Sequence, residues 1–81
     1  MTPEQCRAAR GWLSWSQGDL AKASGVSLST VRDFEKSRRA PIRNNLEAME
    51  RALTGAGIKF LPSGVEGKQT RPIKLTESAD A

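Results

Sequence analysis

Arg32 carries a planar guanidinium that can bond guanine O6 and N7 as a fork, and Ser29, three residues earlier, can donate or accept a hydrogen bond. Asp33 can accept from cytosine N4 and otherwise repels phosphate. At about 100° per residue, a helix through this stretch turns Val31 and Phe34 to one side and Ser29, Arg32, Asp33 and Lys36 to the other. Leu28 falls about 90° from the buried centre, at the boundary between the two faces. The cations Lys36, Arg38, Arg39 and Arg43 follow as a basic cluster. Such a run is often only a solvated face, but here it adjoins a hydrogen-bonding helix face, which points to phosphate. Gln17, at the start of the preceding helical segment, can reach a phosphate with help from backbone N–H groups and the helix dipole. The chain holds no histidine, which removes the commonest general base and the commonest metal ligand. One cysteine, Cys6, excludes an internal disulfide and any cysteine metal cluster. Cys6 reads as a small hydrophobe of a core stripe, with a reactive thiol as the alternative. No cofactor or metal is implied, and no enzyme activity is expected.

Side chains of this kind act only when short, firmly crossed elements hold them. Ala21 is followed four residues later by Gly25 and six after that by Val31, with Leu20 and Phe34 as apolar anchors. That spacing describes two short helices crossed around a tight turn. Ala21 must be small where the helices touch, and Gly25 supplies a backbone conformation with positive φ. This is the helix-turn-helix pattern, whose second helix normally lies in the DNA major groove. Ser16 with Asp19 forms a capping box for a helix over residues 17–23, and Ser27 caps the next, over residues 28–36. Upstream, Thr2, Pro3 and Gln5 supply an N-cap, an N1 proline and a capping-box partner for a helix from Pro3 to Leu13, with Cys6, Ala9 and Leu13 on one face. Residues 37–41 form a polar, basic loop ending in proline. A fourth helix starts near Ile42 or Arg43, carries the stripe Leu46, Met49 and Leu53 with Ala52 beside it, and ends at Gly55 and Gly57. Residues 58–61 read as a short strand, residues 62–69 as turn, and residues 71–75 as a returning strand that Pro72 restricts to an edge. Residues 76–81 are expected to be disordered.

The motif W-S-Q-x-x-L-A-x-x-x-G-V-S-x-S-T-V-x-x-F-E-x-x-x-R-x-P, from Trp15 to Pro41, resembles the phage Cro/repressor family, also called the xenobiotic-response-element family. The likeness runs roughly from Thr2 to Leu53. It implies a compact bundle of four or five helices and a bacterial or phage transcription regulator, often a dimer on a palindromic operator. It implies that Leu28, Ser29, Arg32 and Asp33 stand where bases are read, and that Asn44 and Asn45 lie near the DNA backbone. With Ser27, Thr30 and the groups above, the candidate DNA contacts are then Gln17, Ser27, Leu28, Ser29, Thr30, Arg32, Asp33, Lys36, Arg38, Arg39, Arg43 and Asn44. It also implies an ion pair across the bundle between Arg10 and Glu35, against the alternative of two solvated charges. Leu28 departs from the family, where a long polar residue is common. It can tuck against the core, touch a protein, or touch a thymine methyl.

The expected fold is mainly α: a helix-turn-helix bundle over residues 1–56, a short strand or hairpin extension over residues 57–75, and a tail over residues 76–81. Arg10, Ala21, Gly25, Val31, Phe34 and Glu35 are its structural residues. The net charge of +4 suits double-stranded DNA as partner, and the chain can form a homodimer. The N-terminus reads as no signal peptide, and no apolar run approaches the roughly 18 residues of a membrane span, so a cytoplasmic protein is expected. The leading functional expectation is a small DNA-binding regulator, a repressor or autoregulator. The alternative is an antiactivator or antitoxin-like protein that binds another transcription factor through Leu28, Trp12, Trp15, Ile58 and Phe60.

Overall fold

The computed structural model describes residues 1–67. Four helices and a hairpin follow in chain order: α1 (Pro3–Leu13), α2 (Gln17–Ser24), α3 (Leu28–Glu35), α4 (Arg43–Gly55), β1 (Lys59–Leu61) and β2 (Gly64–Glu66). The first three helices begin where short polar side chains satisfy their first-turn amides. Thr2 Oγ1 accepts from the Gln5 N–H (3.1 Å) while Gln5 Oε1 accepts from the Thr2 N–H (2.9 Å). Ser16 and Asp19 repeat the reciprocal pair at α2, both bonds 2.9 Å long. Ser27 Oγ accepts from the Thr30 N–H at α3.

Helix α2 runs one residue past Ala23, because the Ser24 hydroxyl donates back to the Leu20 carbonyl (2.7 Å) and stays in the helical turn. Gly25 then takes the left-handed conformation, φ 76°, and reverses the chain into α3. Helix α3 ends one residue earlier than the sequence suggests. Lys36 is its cap, and Ser37 follows with φ 59°.

Helix α2 packs against both α3 and α4, and α1 against α3. The apolar stripes meet in one core of Cys6, Ala9, Leu20, Val26, Val31, Phe34, Met49, Leu53 and Ile58. Ala21 is half-buried against that core, and Leu46 flanks it.

The chain after α4 corrects the sequence reading. The strand partner of β1 is residues 64–66, inside the stretch read as turn. Pro62 and Ser63 form a two-residue turn, and Phe60 sits opposite Val65 in the antiparallel register. Both pack against the core, which gives this short pairing an apolar reason to form. The Gln5 amide donates to the carbonyls of Leu61 (2.7 Å) and Gly64 (3.3 Å), pinning the hairpin onto α1. The strand expected at residues 71–75 and the tail at residues 76–81 lie outside the described residues.

Candidate nucleic-acid interface

The base of α3 is fixed by one acid. Glu35 ends the helix with its carboxylate 2% exposed. Arg10, from α1, donates to both carboxylate oxygens, Nε to Oε2 and Nη2 to Oε1, each at 2.7 Å. The third guanidinium nitrogen, Nη1, donates to the Trp15 carbonyl (2.9 Å). Cys6 Sγ donates to Oε2 (3.1 Å) and Gln17 Nε2 to Oε1 (3.1 Å). Arg7 Nη1 reaches the Glu35 carbonyl. One carboxylate thus ties α1, α2 and α3 together. Burial alone pushes its carboxyl up, but the bonds from Arg10, Cys6 and Gln17 outweigh that and hold it below the usual range. The same bond raises the Arg10 guanidinium against the opposing effect of burial. Burial, with the bond to Glu35, pushes the Cys6 thiol well above its ordinary value, and Cys6 sits fully buried in the core.

The other side of α3 is open. Val31 and Phe34 are buried, whereas Leu28, Ser29, Arg32 and Lys36 are exposed and Thr30 and Asp33 half-exposed. The Ser27 hydroxyl donates to Thr30 Oγ1 (2.8 Å) and lies 3.3 Å from Ser29 Oγ, so the first-turn hydroxyls are linked to one another. Leu28 is 36% exposed, at the boundary between the buried and outward faces of the helix.

Arg38, Arg39 and Arg43 are exposed. A groove of about 350 Å³ runs between α3 and the loop before α4, lined by Ser29, Thr30, Asp33, Arg39, Ala40, Pro41, Ile42 and Asn45. It brings Arg39 and Asn45 to the outward face of α3. Arg38 sits on the far side of the loop, lining a hollow with Pro3 and Phe34. Arg43 lies 3.7 Å from Glu47 across one helical turn, a pair exposed enough to be worth little. Asn44 is exposed beside it.

The ends of α2 and α4 differ. Helix α2 starts with a complete capping box and an acid, Asp19, in its first turn, and one hydrogen of the Gln17 amide is engaged with Glu35. Helix α4 starts at Ile42 with no side-chain cap. The Asn45 N–H is bonded to the Ile42 carbonyl (3.0 Å), so the Arg43 and Asn44 amides and the positive dipole end are what this helix start can offer an anion beside the groove. Sequence reasoning passed over Ile42, 68% exposed at this end. The signal was there to read: an apolar residue where a helix start normally has Ser, Thr, Asp or Asn.

The residues proposed for a protein partner are mostly committed elsewhere. Ile58 is 2% exposed and is core, which corrects its reading as a contact residue. Trp12, Trp15 and Phe60 are half-buried and packed against the core. Among the described residues no group of three His, Cys, Asp or Glu side chains could hold a metal ion, and no helix is long and apolar enough to cross a membrane.

The family model described as helix-turn-helix matches residues 7–54, more than half of the chain. That span opens in α1 and closes in α4, and so takes in Arg7, Arg10, Gln17 and Glu35 of the buried network, though not Cys6, and the whole outward face of α3. No curated protein matches the chain.

Proposed function

The chain belongs to the helix-turn-helix family, and on that premise we propose that it is a transcriptional regulator, a repressor or autoregulator, that reads double-stranded DNA with α3. The observation that carries this reading is the pairing of a polar α3 face with a cationic border. Ser29, Arg32 and Lys36 stand exposed on a helix whose opposite side is buried, and Arg39 and the uncapped start of α4 flank them across the groove. In this reading Arg32 and Ser29 address base edges. Arg39, Arg43, Asn44 and the α4 amides hold the phosphates of one strand, with Gln17, Lys36 and Arg38 supplying further backbone contacts. Asp33, beside Arg39 in the groove wall, discriminates against bases that offer no donor.

Repression follows from occupancy of the site, and two copies on an inverted repeat would place their α3 helices in successive major grooves about 34 Å apart. The antiactivator reading has less support from the described residues: Ile58 is buried, and Trp12, Trp15 and Phe60 are half-buried. Of its five residues, only Leu28 is an exposed side chain.

Selection of duplexes from a random library, followed by mobility-shift titration, tests the proposal. Enrichment of one motif, bound more tightly than scrambled sequence, supports it; an inverted repeat supports the dimer. Failure to bind any duplex even at low salt would overturn it. A promoter reporter carrying the enriched site then reads the sign of regulation, and repression is the expected result.

A further inference from the structure

We infer that residues 75–80 of this chain seat on the hollow between the start of α1 and the loop after α3, with Leu75 on its apolar floor and Glu77 and Asp80 on Arg38 and Arg39, and so compete with DNA for that loop. The docking stands on the fold alone; the competition rests on the DNA-binding reading above. The hollow encloses about 300 Å³ and is lined by Pro3, Phe34, Ser37, Arg38, Arg39 and Ala40. Its chemistry is divided. Phe34 is a core residue and forms the floor, and Pro3 and Ala40 add apolar walls. The two guanidiniums are exposed, and none of the lining residues is acidic. Such a site fits an apolar side chain followed closely by carboxylates. The sequence L-T-E-S-A-D over residues 75–80 has that order: one leucine, then two acids and no cation. Residues 36–43 hold the complement, four cations and no acid. Arg39 also lines the groove beside α3, so a segment held by Arg39 occupies a cation of the DNA border. Exposed ion pairs are individually weak, but a segment tethered to its site acts at a high effective concentration.

The length of chain agrees. A side chain added at Gly67 would run into the Trp12 indole, so the chain passes Gly67 pressed against Trp12, near the C-terminal end of α1. Pro3, in the wall of the hollow, is the first residue of that helix. From Trp12 to Pro3 is about 13 Å along the axis and about 180° around it. Crossing a helix of about 11 Å diameter between those points takes about 22 Å. The chain from Gly67 to Leu75 spans about 26 Å when extended. The face of α1 that it would cross carries Glu4, Arg7, Ala8 and Gly11, all exposed. With Leu75 at Pro3, Lys74 falls beside Glu4, so the neighbouring charges also match.

The test uses the full chain. A nitroxide is attached at Ser78→Cys, while the buried Cys6 stays unlabelled. The amide signals of Phe34, Ser37 and Ala40 are expected to broaden at low salt and to recover at high salt. Arg38→Ala with Arg39→Ala should remove the broadening. No broadening in the otherwise wild-type chain overturns the inference, whatever the protein does with DNA. Broadening that fades on dilution comes from a second copy and overturns it too. Affinity for duplex then reads the competition. Leu75→Ser with Glu77→Gln and Asp80→Asn should raise it about fivefold, as when a competent fraction of about one fifth becomes the whole. Leu75→Ser alone changes no charge and should still raise it about twofold. A gain confined to the two acids reflects ordinary attraction to DNA and overturns the competition, as does no gain at all. Failure of wild type and the triple variant to bind any duplex overturns the proposed function and the competition with it, and the nitroxide result decides the docking by itself.

Discussion

Glu35 is a carboxylate with 2% exposure that four side-chain hydrogen bonds keep charged. Arg10→Ala leaves that charge buried with only neutral donors, and we expect a loss of about 3–5 kcal/mol, read from denaturant melts. Replacing both partners, Arg10→Met with Glu35→Leu, should cost far less, since no charge is then stranded. A double variant as unstable as the single one would show that the pair is not the source of the loss. The pH dependence has a definite sign. The folded carboxyl lies below its unfolded value, so its contribution is fully present above the ordinary carboxylate range and is lost as pH falls through the folded value. Cys6, on the same carboxylate, gives a second readout. Its buried, raised thiol should resist thiol reagents in the native protein at pH 8 and react fully in denaturant. Rapid labelling of the native protein would contradict its burial. The Arg10–Glu35 pair was legible through the resemblance alone. That Gln17 and Cys6 join it was not, because the contact depends on how three helices converge and not on any spacing within one of them.

At the scale of elements, the helices were legible because each of the first three is written twice, once in its apolar period and once in its cap. Thr2–Gln5, Ser16–Asp19 and Ser27 all act as the sequence implies. The turn between α2 and α3 was legible for a different reason: a glycine at positive φ leaves few alternatives. Space around the Gly25 Cα position is open, so an added side chain meets no neighbour and the backbone conformation alone sets the cost. Gly25→Val is expected to lower stability by about 1–2 kcal/mol, the penalty of a left-handed L-residue, and Gly25→Asn by less. Ala21→Leu works by volume, overpacking the α2 crossing at about 1–3 kcal/mol. Thermal melts of the three variants check both arguments, and unchanged melts for Gly25→Val and Ala21→Leu would remove the packing rationale for the turn. Strand β2 was hidden. Its three residues, Gly64, Val65 and Glu66, include one glycine and one strong β-former, too little local preference to register. What makes it a strand is tertiary: Val65 opposite Phe60 over the core, and the Gln5 amide clamped on the turn.

Over the whole molecule the net charge of +4 is modest, and its placement matters more than its size. Lys36, Arg38, Arg39 and Arg43 follow one another along the chain from the end of α3 to the start of α4 and are all exposed, yet they need not act alike. Arg39 lines both the groove beside α3 and the hollow beside Pro3, whereas Arg38 lines the hollow alone. With about four phosphates neutralised, log K should fall with log[salt] at a slope of about −3.6. If both arginines meet phosphate, Arg38→Ala with Arg39→Ala should halve the slope to about −1.8 and weaken cognate and scrambled duplexes by the same factor. Arg32→Ala should behave differently. It removes a base contact, so it should cost about 1–3 kcal/mol on the cognate duplex and relax preference at one base position. Scrambled duplex should then be bound nearly as well as before. Titrations of both variants on both duplexes, at two salt concentrations, separate the roles. A loss of preference in the double arginine variant, or a sequence-independent loss in Arg32→Ala, would mean that positioning and reading are divided between α3 and its basic border in some other way than the exposed faces suggest.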